Sequence, residues 1–369
     1  MTHSMIQGTV ERVFDREISR DVIEYAESGQ FPADLWQTTV DTGLQKILCR
    51  EEHGGIEASW SDALPLFFEI GFRQVPLPLA GTAVGQFFAS KNGINIPESD
   101  VMSLIAGPQA KSIQITPCDC PLINGAAHAV KWGRHAQWFL IETPAGSCLV
   151  EATDPGITIE EGTDPSGMPS DRVTFGSVKA SHWLTHRIEG LTNPVQVAQA
   201  ATLSAMITGA LEYALNLSVQ YAKDRVQFGK PISKHQAIQH QLAEMSGEVA
   251  SSYTATSAAM KDLPSLQHTV ARSALFSAAV AKITASEAVS KGTSVAHQVH
   301  GAIGFTYEYP LNFATRRLWA WRIEGGTASD WALVLGQAFV RAGSDRFWEN
   351  LTARTLPETN CKEGHISES

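Results

Sequence analysis

The first hundred residues show apolar positions at helical spacing. Two series lie about one helical turn apart, Val13, Ile18, Val22 and Tyr25 and then Leu35, Thr39, Leu44 and Leu48. The paired glycines Gly54 and Gly55 interrupt the pattern, which resumes over residues 60–72 and 76–91. Apolar residues at such intervals are typical of amphipathic helices. The pattern predicts a helical N-terminal domain over residues 1–108.

From residue 109 the pattern changes to short runs rich in β-branched and aromatic residues. Gly, Pro, Asn and Asp separate the runs, which are 112–115, 129–132, 138–141, 148–150, 157–159 and 172–175. Such runs between turn-forming residues are typical of antiparallel strands. We therefore predict a small antiparallel β domain over residues 109–190.

After Pro194 the helical spacing returns. One predicted helix face carries Leu203, Met206, Ile207, Ala210, Leu211, Ala214 and Leu215. Further helices are predicted after Pro231, in the alanine-rich stretch 270–289, and over 331–340. Four such helices joined by short connections pack as a bundle. The expected fold class is α+β, mainly α, with a helical N-terminal domain, a small central β domain and a C-terminal four-helix bundle over 191–355. A polar tail follows over 356–369.

Composition narrows the function classes. The 369 residues carry a net charge of −10, which disfavours nucleic acid as a partner because phosphate backbones attract basic surfaces. There is no run of 18 apolar residues and no signal-like amino terminus, so we expect no membrane span and a cytoplasmic protein. The five scattered cysteines fit reduced thiols. Cys118 and Cys120 lack further ligands at zinc spacing, so no metal site is expected.

Two segments offer candidate chemistry. In 221–232, Arg225 provides a planar donor fork suited to phosphate, Phe228 a flat apolar surface, and Gly229 to Pro231 a stiff turn. A plain interhelical loop with a surface arginine is the alternative interpretation. In 298–306, small residues around Gly301 allow close approach of a ligand to the backbone. That glycine pattern alone is a weak signal, because no strand precedes it.

Together these segments resemble the acyl-CoA dehydrogenase family. The resemblance rests on residues 221–232, 236–245 and 298–310, with weaker support from 35–44 and 51–55. It implies the three-part fold predicted above, FAD as cofactor, and an acyl-CoA as substrate. In that family a glutamate takes the α proton while flavin N5 takes the β hydride, which yields a trans-2-enoyl-CoA. The electrons then pass to an electron-transferring flavoprotein.

The resemblance also implies cofactor contacts. The arginine and phenylalanine of 225–229 and the glutamine and glycine of 298–301 typically reach the adenine and pyrophosphate half of the FAD of a neighbouring subunit. The residues so implied as cofactor-binding are Arg225, Phe228, Ile232, Gln236, Gln298, Gly301 and Thr327.

The central domain departs from the family pattern. Residues 115–120 stand where the family has a loop that hydrogen-bonds the flavin ring, and 131–136 stand where a tryptophan phrase flanks it. Trp132 is open to two interpretations, a flavin-stacking residue or a core tryptophan of the β domain.

The pattern leaves two interpretations of Glu324, the candidate catalytic base. Glu324 falls one residue earlier than the family glutamate, and one position turns a helical side chain by about 100°. The alternative base position of some relatives falls near Gln199 and Ala200, and neither of these has a basic side chain. Glu324 is therefore either the base or a buried or interface carboxylate, for which Arg316, Arg317 and Arg322 are candidate partners.

Three functional hypotheses follow. The first, favoured by retained interface residues and missing flavin-ring residues, is a subunit that shares its FAD site with a homologous partner in a heterotetramer. Residues 316–322, 161–164 and 173–175 resemble subunits of bacterial α2β2 acyl-CoA dehydrogenases that act on steroid side chains. The second is a self-sufficient homotetramer with Glu324 as base. The third is a non-catalytic scaffold for a partner dehydrogenase.

Overall fold

Five helices build the N-terminal part of the chain. The structure, a computed structural model, describes residues 3–116, 121–186, 188–267 and 271–356. The helices are α1 (His3–Glu17), α2 (Arg20–Glu27), α3 (Ala33–Asp41), α4 (Trp60–Phe72) and α5 (Leu79–Lys91). The first predicted series spans two helices, because the Ser19 hydroxyl accepts a hydrogen bond from the Val22 amide and begins α2 there.

The central strands form two four-stranded sheets. The strands are β1 (Met102–Ile105), β2 (Gln114–Thr116), β3 (Leu122–Lys131), β4 (Trp138–Thr143), β5 (Gly146–Glu151), β6 (Ile157–Glu160), β7 (Ser170–Lys179) and β8 (His182–Leu184). One sheet has the order β1-β4-β5-β8 and the other β2-β3-β7-β6. Apolar side chains from both sheets pack in a common core, where the Phe139 and Phe175 rings meet edge to face.

The β region differs from the prediction in two respects. Met102 pairs with Trp138 in a parallel register, so one sheet is mixed rather than antiparallel. Because β1 belongs to this sheet, the sheet region begins before the predicted boundary at residue 109. The strand was missed because β1 is only four residues long and is buried throughout, so it shows no alternation of polar and apolar positions.

Long helices form the C-terminal part. They are α6 (Pro194–Asp224), α7 (Gln236–Asp262), α8 (Ala274–His300), α9 (Leu311–Ile323), α10 (Ala328–Ala342) and α11 (Phe347–Ala353), with a two-residue hairpin of β9 (Val226–Gln227) and β10 (Lys230–Pro231) after α6. Pro194 occupies the first turn of α6, as its position predicts. Helix α9 is an addition to the four predicted helices, and the candidate site lies at its C-terminal end. Within the described residues, no helix is long and apolar enough to cross a membrane. The predicted tail lies outside them from residue 357 onward.

Two glycines bring the N-terminal helices against the bundle. A Cβ atom on Gly71 of α4 would collide with the carbonyl oxygen of Met206 in α6, and one on Gly209 of α6 would collide with that of Phe68. The two helix backbones therefore touch, which only glycine allows. This contact places α6 next to the N-terminal domain and fixes one wall of the cavity described below.

Glu142 joins the sheets to the bundle. Its buried carboxylate accepts hydrogen bonds from the backbone amides of Val195 at 2.9 Å and Gln196 at 2.8 Å, at the N-terminus of α6. These amides have no intrahelical acceptor, so the carboxylate caps the helix. Burial nevertheless raises the pKa of Glu142 to about 7, against the opposing effect of these hydrogen bonds.

Glu142 predicts a specific pH dependence of stability. A carboxyl group whose pKa is raised on folding stabilises the folded state fully below its unfolded pKa, and that contribution is lost as pH rises through about 7. We expect the unfolding free energy of the wild type, relative to Glu142→Gln, to fall by about 2–3 kcal/mol between pH 5 and 8. Urea unfolding of both proteins across this pH range measures the difference in unfolding free energy, with exposed Glu151→Gln as control. If that difference did not change with pH, it would contradict a raised pKa of Glu142 in the folded state.

Candidate cofactor site and buried cavity

A surface hairpin presents Phe228. The turn between β9 and β10 has positive φ angles at Phe228 (53°) and Gly229 (76°), the conformation that suits a two-residue hairpin. A bulky residue rarely adopts positive φ. Here the hairpin holds the Phe228 ring in solvent, with 91% of the residue exposed. Strained backbone that displays an exposed aromatic ring is a feature found at ligand-binding sites.

Arg225 lies at the start of the same hairpin. Its backbone closes α6 through a hydrogen bond to Tyr221 and pairs with Ile232 across the hairpin. Its exposed guanidinium makes no hydrogen bond or ion pair to any residue that the structure describes. The backbone of Arg225 is thus fixed while its donor fork stays available.

The end of α8 lies beside this hairpin. Ile232, Ala222 and Val299 form one buried apolar cluster, and this packing brings the two predicted motifs together. Gln298 is exposed, and Gly301 ends α8 with a φ of 63° in open space. The arrangement places the Arg225 hairpin and the glycine turn on one face of the chain.

The other predicted cofactor residues fall in different settings. Ile232 is 7% exposed and faces its own core, so it supports the hairpin from behind. Gln236 is exposed at the first position of α7. Thr327 caps α10, since its hydroxyl accepts from the Asp330 amide and donates to the Asp330 carboxylate. That hydroxyl is already engaged by its own helix.

A cavity lies where the helical N-terminal part, the sheets and the bundle meet. This inner cavity has a volume of about 80 Å³, and apolar side chains such as Leu77, Met102, Leu203 and Trp321 line most of it. A second, outer cavity of about 250 Å³ lies against the turn between α9 and α10. Lys131, Asp164 and Glu324 line both cavities and therefore form the partition between them.

A partly buried ion pair lies in this partition. Lys131 Nζ lies 2.6 Å from Asp164 Oδ2, and the same carboxylate accepts hydrogen bonds from the Ser166 amide and hydroxyl. Burial acts to raise the pKa of Asp164, but the Lys131 ammonium and the Ser166 hydrogen bonds outweigh it and hold the pKa below its usual range. The Asp164 carboxyl group is therefore ionised at neutral pH.

Glu324 reaches the partition from an extended turn. It follows α9 with φ −67° and ψ 143°, and the chain then turns through Gly325 and Gly326, both with positive φ. The helical rotation of 100° assumed above does not apply to it, because Glu324 lies beyond the helix. Its Oε2 atom is 4.0 Å from Lys131 Nζ, and burial raises its pKa.

The predicted arginine partners of Glu324 have other contacts. Arg316 pairs with Glu27 at 2.8 Å, Arg317 donates to the carbonyl of Val75, and Arg322 stacks on the Trp319 ring. Since none of the three forms an ion pair with Glu324 among the described residues, the expected pairing is wrong.

Lys282 secures the turn that carries Glu324. Its fully buried Nζ donates to the carbonyl oxygens of Trp321 at 2.7 Å and Arg322 at 3.0 Å, at the C-terminal end of α9. Burial lowers the pKa of Lys282 to about 7. The residue takes the place of a helix cap and positions the Glu324 backbone.

Trp132 is a core residue. It is 5% exposed, packs with Ala26 and Met168, and meets Phe31 edge-on with ring centroids 6.0 Å apart. Its position favours the interpretation as a core tryptophan over that as a flavin-stacking residue.

Comparisons with known proteins identify the family. The family model described as "Acyl-CoA dehydrogenase, N-terminal domain" matches residues 1–91. The model described as "Acyl-CoA dehydrogenase, C-terminal domain" matches residues 198–330. The chain belongs to the acyl-CoA dehydrogenase family. Its predicted fold class is thereby confirmed. Family members are oxidoreductases that act on CH–CH bonds with FAD as cofactor.

Individual relatives extend the comparison. Acyl-CoA dehydrogenase IpdE2 of Mycolicibacterium smegmatis is 26% identical over 319 residues, covering 85% of this chain and 91% of the relative. A solved variant of the Tcur3481-Tcur3483 steroid ACAD has a TM-score of 0.81 at 22% identity, covering 92% of this chain and 98% of the other. The ChsE4-ChsE5 complex from Mycobacterium tuberculosis has a TM-score of 0.80 at 17% identity, with 93% and 98% covered. At these identities the structural likeness establishes the fold.

The two halves of FAD fit this acyl-CoA dehydrogenase chain unequally. The exposed donor fork of Arg225, the Phe228 ring and the open backbone at Gly301 suit a pyrophosphate and an adenine approaching from outside. The flavin ring meets a different environment, because a charged ion pair crosses the space between the two cavities. The described residues around the cavities therefore do not fit the ring. Residues 117–120, predicted to replace the flavin loop, lie outside the described residues.

No sequence motif predicts the ion pair between the two cavities. Lys131 and Asp164 lie 33 positions apart, in the separate segments 131–136 and 161–164. A lysine and an aspartate at that separation carry no spacing signal, and only the fold brings them together.

Proposed function

We propose that this chain is one subunit of a heteromeric, FAD-dependent acyl-CoA dehydrogenase that forms a trans-2-enoyl-CoA from a bulky acyl-CoA. The chain binds mainly the adenine and pyrophosphate half of an FAD whose flavin ring lies in a homologous partner subunit. The observation that carries this proposal is the contrast between an exposed, uncommitted Arg225 hairpin and a cavity crossed by the Lys131–Asp164 pair.

The exposed groups support binding across a subunit interface. Phe228, at 91% exposure, is held in solvent by its own hairpin. Arg225 offers a charge-assisted, two-pronged contact to a phosphate, and Gln298 and Gly301 lie on the same face. The exposed Phe228 ring and the Arg225 guanidinium can contribute to binding once a partner subunit covers them.

The names of two solved relatives support the proposed partner and substrate class. One names a steroid ACAD formed by Tcur3481 and Tcur3483, and another names the ChsE4-ChsE5 complex. By analogy, a homologous partner chain completes the present assembly and a steroid side-chain thioester is its substrate. An electron-transferring flavoprotein is the proposed electron acceptor.

The role of Glu324 differs between this proposal and a self-sufficient homotetramer. The burial of Glu324 in the cavity wall and its raised pKa favour a general base, which supports the homotetramer as the second candidate function. Its placement beside the Lys131–Asp164 pair favours a structural carboxylate, because the same ion pair crosses the space that a flavin ring needs.

A substitution at Glu324 distinguishes the two. In the heteromeric complex we expect Glu324→Gln to change the rate of enoyl-CoA formation by about twofold or less, because the partner provides the base. A true general base would cost about 10²–10⁴-fold. Turnover with a dye acceptor at saturating substrate measures this, with exposed Glu161→Gln as control.

Expression with and without the partner tests the proposal itself. We expect the chain alone to retain little FAD and to show no turnover, and co-expression with a homologous partner subunit to restore about one FAD per pair of chains. Full FAD occupancy and turnover by the lone chain would contradict the shared site and favour the homotetramer.

A further inference from the structure

A fully buried arginine lines the inner cavity. Arg317 of α9 is 2% exposed, and its guanidinium donates to the carbonyl oxygen of Val75 at 3.1 Å and to the sulfur of Met168 at 3.5 Å. Its Nε–H has no hydrogen-bond partner among the described residues. No described carboxylate lies within ion-pair distance of it. A buried cation without a counterion is costly unless another anion neutralises it.

A second polar group in the same cavity is also uncommitted. The Gln199 side-chain amide of α6 lines the inner cavity and makes no hydrogen bond to a described residue, and its Oε1 is fully buried. A half turn of the amide group presents its N–H donors instead of its oxygen. Arg317 and Gln199 thus offer donors from two different helices, α9 and α6.

The remaining charges around the cavity are already compensated. Lys131 and Asp164 neutralise each other at 2.6 Å, and Glu27 is held by Arg316 outside the cavity. Glu324 lies on the Lys131 side of the partition. Glu27 and Asp164 attract the Arg317 guanidinium from a distance, but neither reaches ion-pair contact with it. Among the described residues Arg317 therefore has no direct counterion, in a space whose other walls are mostly apolar.

We propose that the inner cavity binds a short aliphatic monocarboxylate, of the size of propionate or butyrate. The carboxylate pairs with the Arg317 guanidinium and accepts a hydrogen bond from the Gln199 amide, while the alkyl chain packs on the apolar walls. The volume of about 80 Å³ suits a ligand of a few carbon atoms and is too small for a cofactor or a sterol. This inference does not depend on the proposed function, since it concerns the lone chain.

Binding of sodium butyrate to the purified full-length chain tests the proposal. Isothermal titration calorimetry and thermal unfolding are expected to show saturable binding and a rise in Tm that sodium chloride at equal ionic strength does not produce. Butyramide, a neutral analogue of the same shape, is expected to bind at least about tenfold more weakly because it lacks the charge.

Variants locate the binding. Arg317→Met is expected to weaken butyrate at least tenfold, and Arg322→Met, an arginine of the same helix stacked on Trp319, is the matched control with unchanged affinity. Ala80→Leu fills the inner cavity from α5 and keeps Arg317, so it should abolish binding even where Arg317→Met fails to fold.

Three results would overturn the proposal. They are a Tm rise no larger than that with sodium chloride, equal affinity for butyramide and butyrate, and undiminished binding by Ala80→Leu.

Discussion

Replacing Arg225 by alanine is expected to remove most of the FAD from the assembled complex without affecting its folding. The guanidinium is exposed and has no hydrogen bond or ion pair within the described part of the chain, so its loss removes no contact of the subunit itself. A hydrogen bond from a charged group contributes about 1.5–3 kcal/mol, which corresponds to about 10- to 100-fold in FAD affinity. This is the largest effect on function that we expect from a single substitution in this chain.

The ratio of flavin to protein absorbance in the purified complex measures the loss, and FAD titration of the stripped complex gives the affinity. Lys261→Ala, another exposed cation at the far end of α7, is the control and should retain full FAD. FAD retention equal to that of the wild type would remove Arg225 from the cofactor site. It would favour the scaffold hypothesis, in which the chain supports a partner dehydrogenase without contacting its cofactor.

Replacing Asp164 by alanine is expected to give the largest loss of stability, about 3 kcal/mol, because it leaves the Lys131 ammonium at the cavity with only the more distant Glu324 carboxylate, 4.0 Å away. The substitution also removes the acceptor for the Ser166 amide and hydroxyl. Since the folded pKa of Asp164 is held below its usual range, its contribution is full at neutral pH and is lost only as pH falls through that low value.

Urea denaturation at pH 7 measures this loss, and Glu160→Gln provides the matched control. Glu160 pairs with Arg172 at 3.4 Å on the surface, where both side chains are about half exposed. Such a pair contributes about 0–1 kcal/mol. Equal effects of the two substitutions would show that the Lys131–Asp164 pair is not part of the buried structure.

Much of the fold could be predicted from the order of hydrophobic patterns. Helix α4 was predicted with its observed bounds, because its apolar positions continue without a break from Trp60 to Phe72. Strand β1 and helix α9 were missed for a related reason. Both are buried on more than one side, so neither shows the alternation of polar and apolar residues that marks a half-exposed element.

Part of the candidate site could likewise be predicted from the sequence, and part could not. The Arg225 hairpin and the Gln298 turn are contiguous motifs, so the family resemblance could be recognised in them and a cofactor role predicted from it. The cavity is assembled from distant positions, and its deciding contacts join residues 33 and 242 positions apart, Lys131 with Asp164 and Val75 with Arg317. The expected partners of Glu324 were wrong because sequence proximity was taken for contact.

The order of the residues by itself determined the three-part architecture, the family and the turn after α6, because periodicity and turn chemistry act over a few neighbouring positions. Only the tertiary structure decided that Lys131 and Asp164 pair between the two cavities, that Glu324 reaches the same wall from an extended turn, and that Arg317 is buried with no carboxylate of the described residues at ion-pair distance. Electrostatic pairing and burial depend on distance in space, and in a folded chain that distance follows from packing rather than from separation along the sequence.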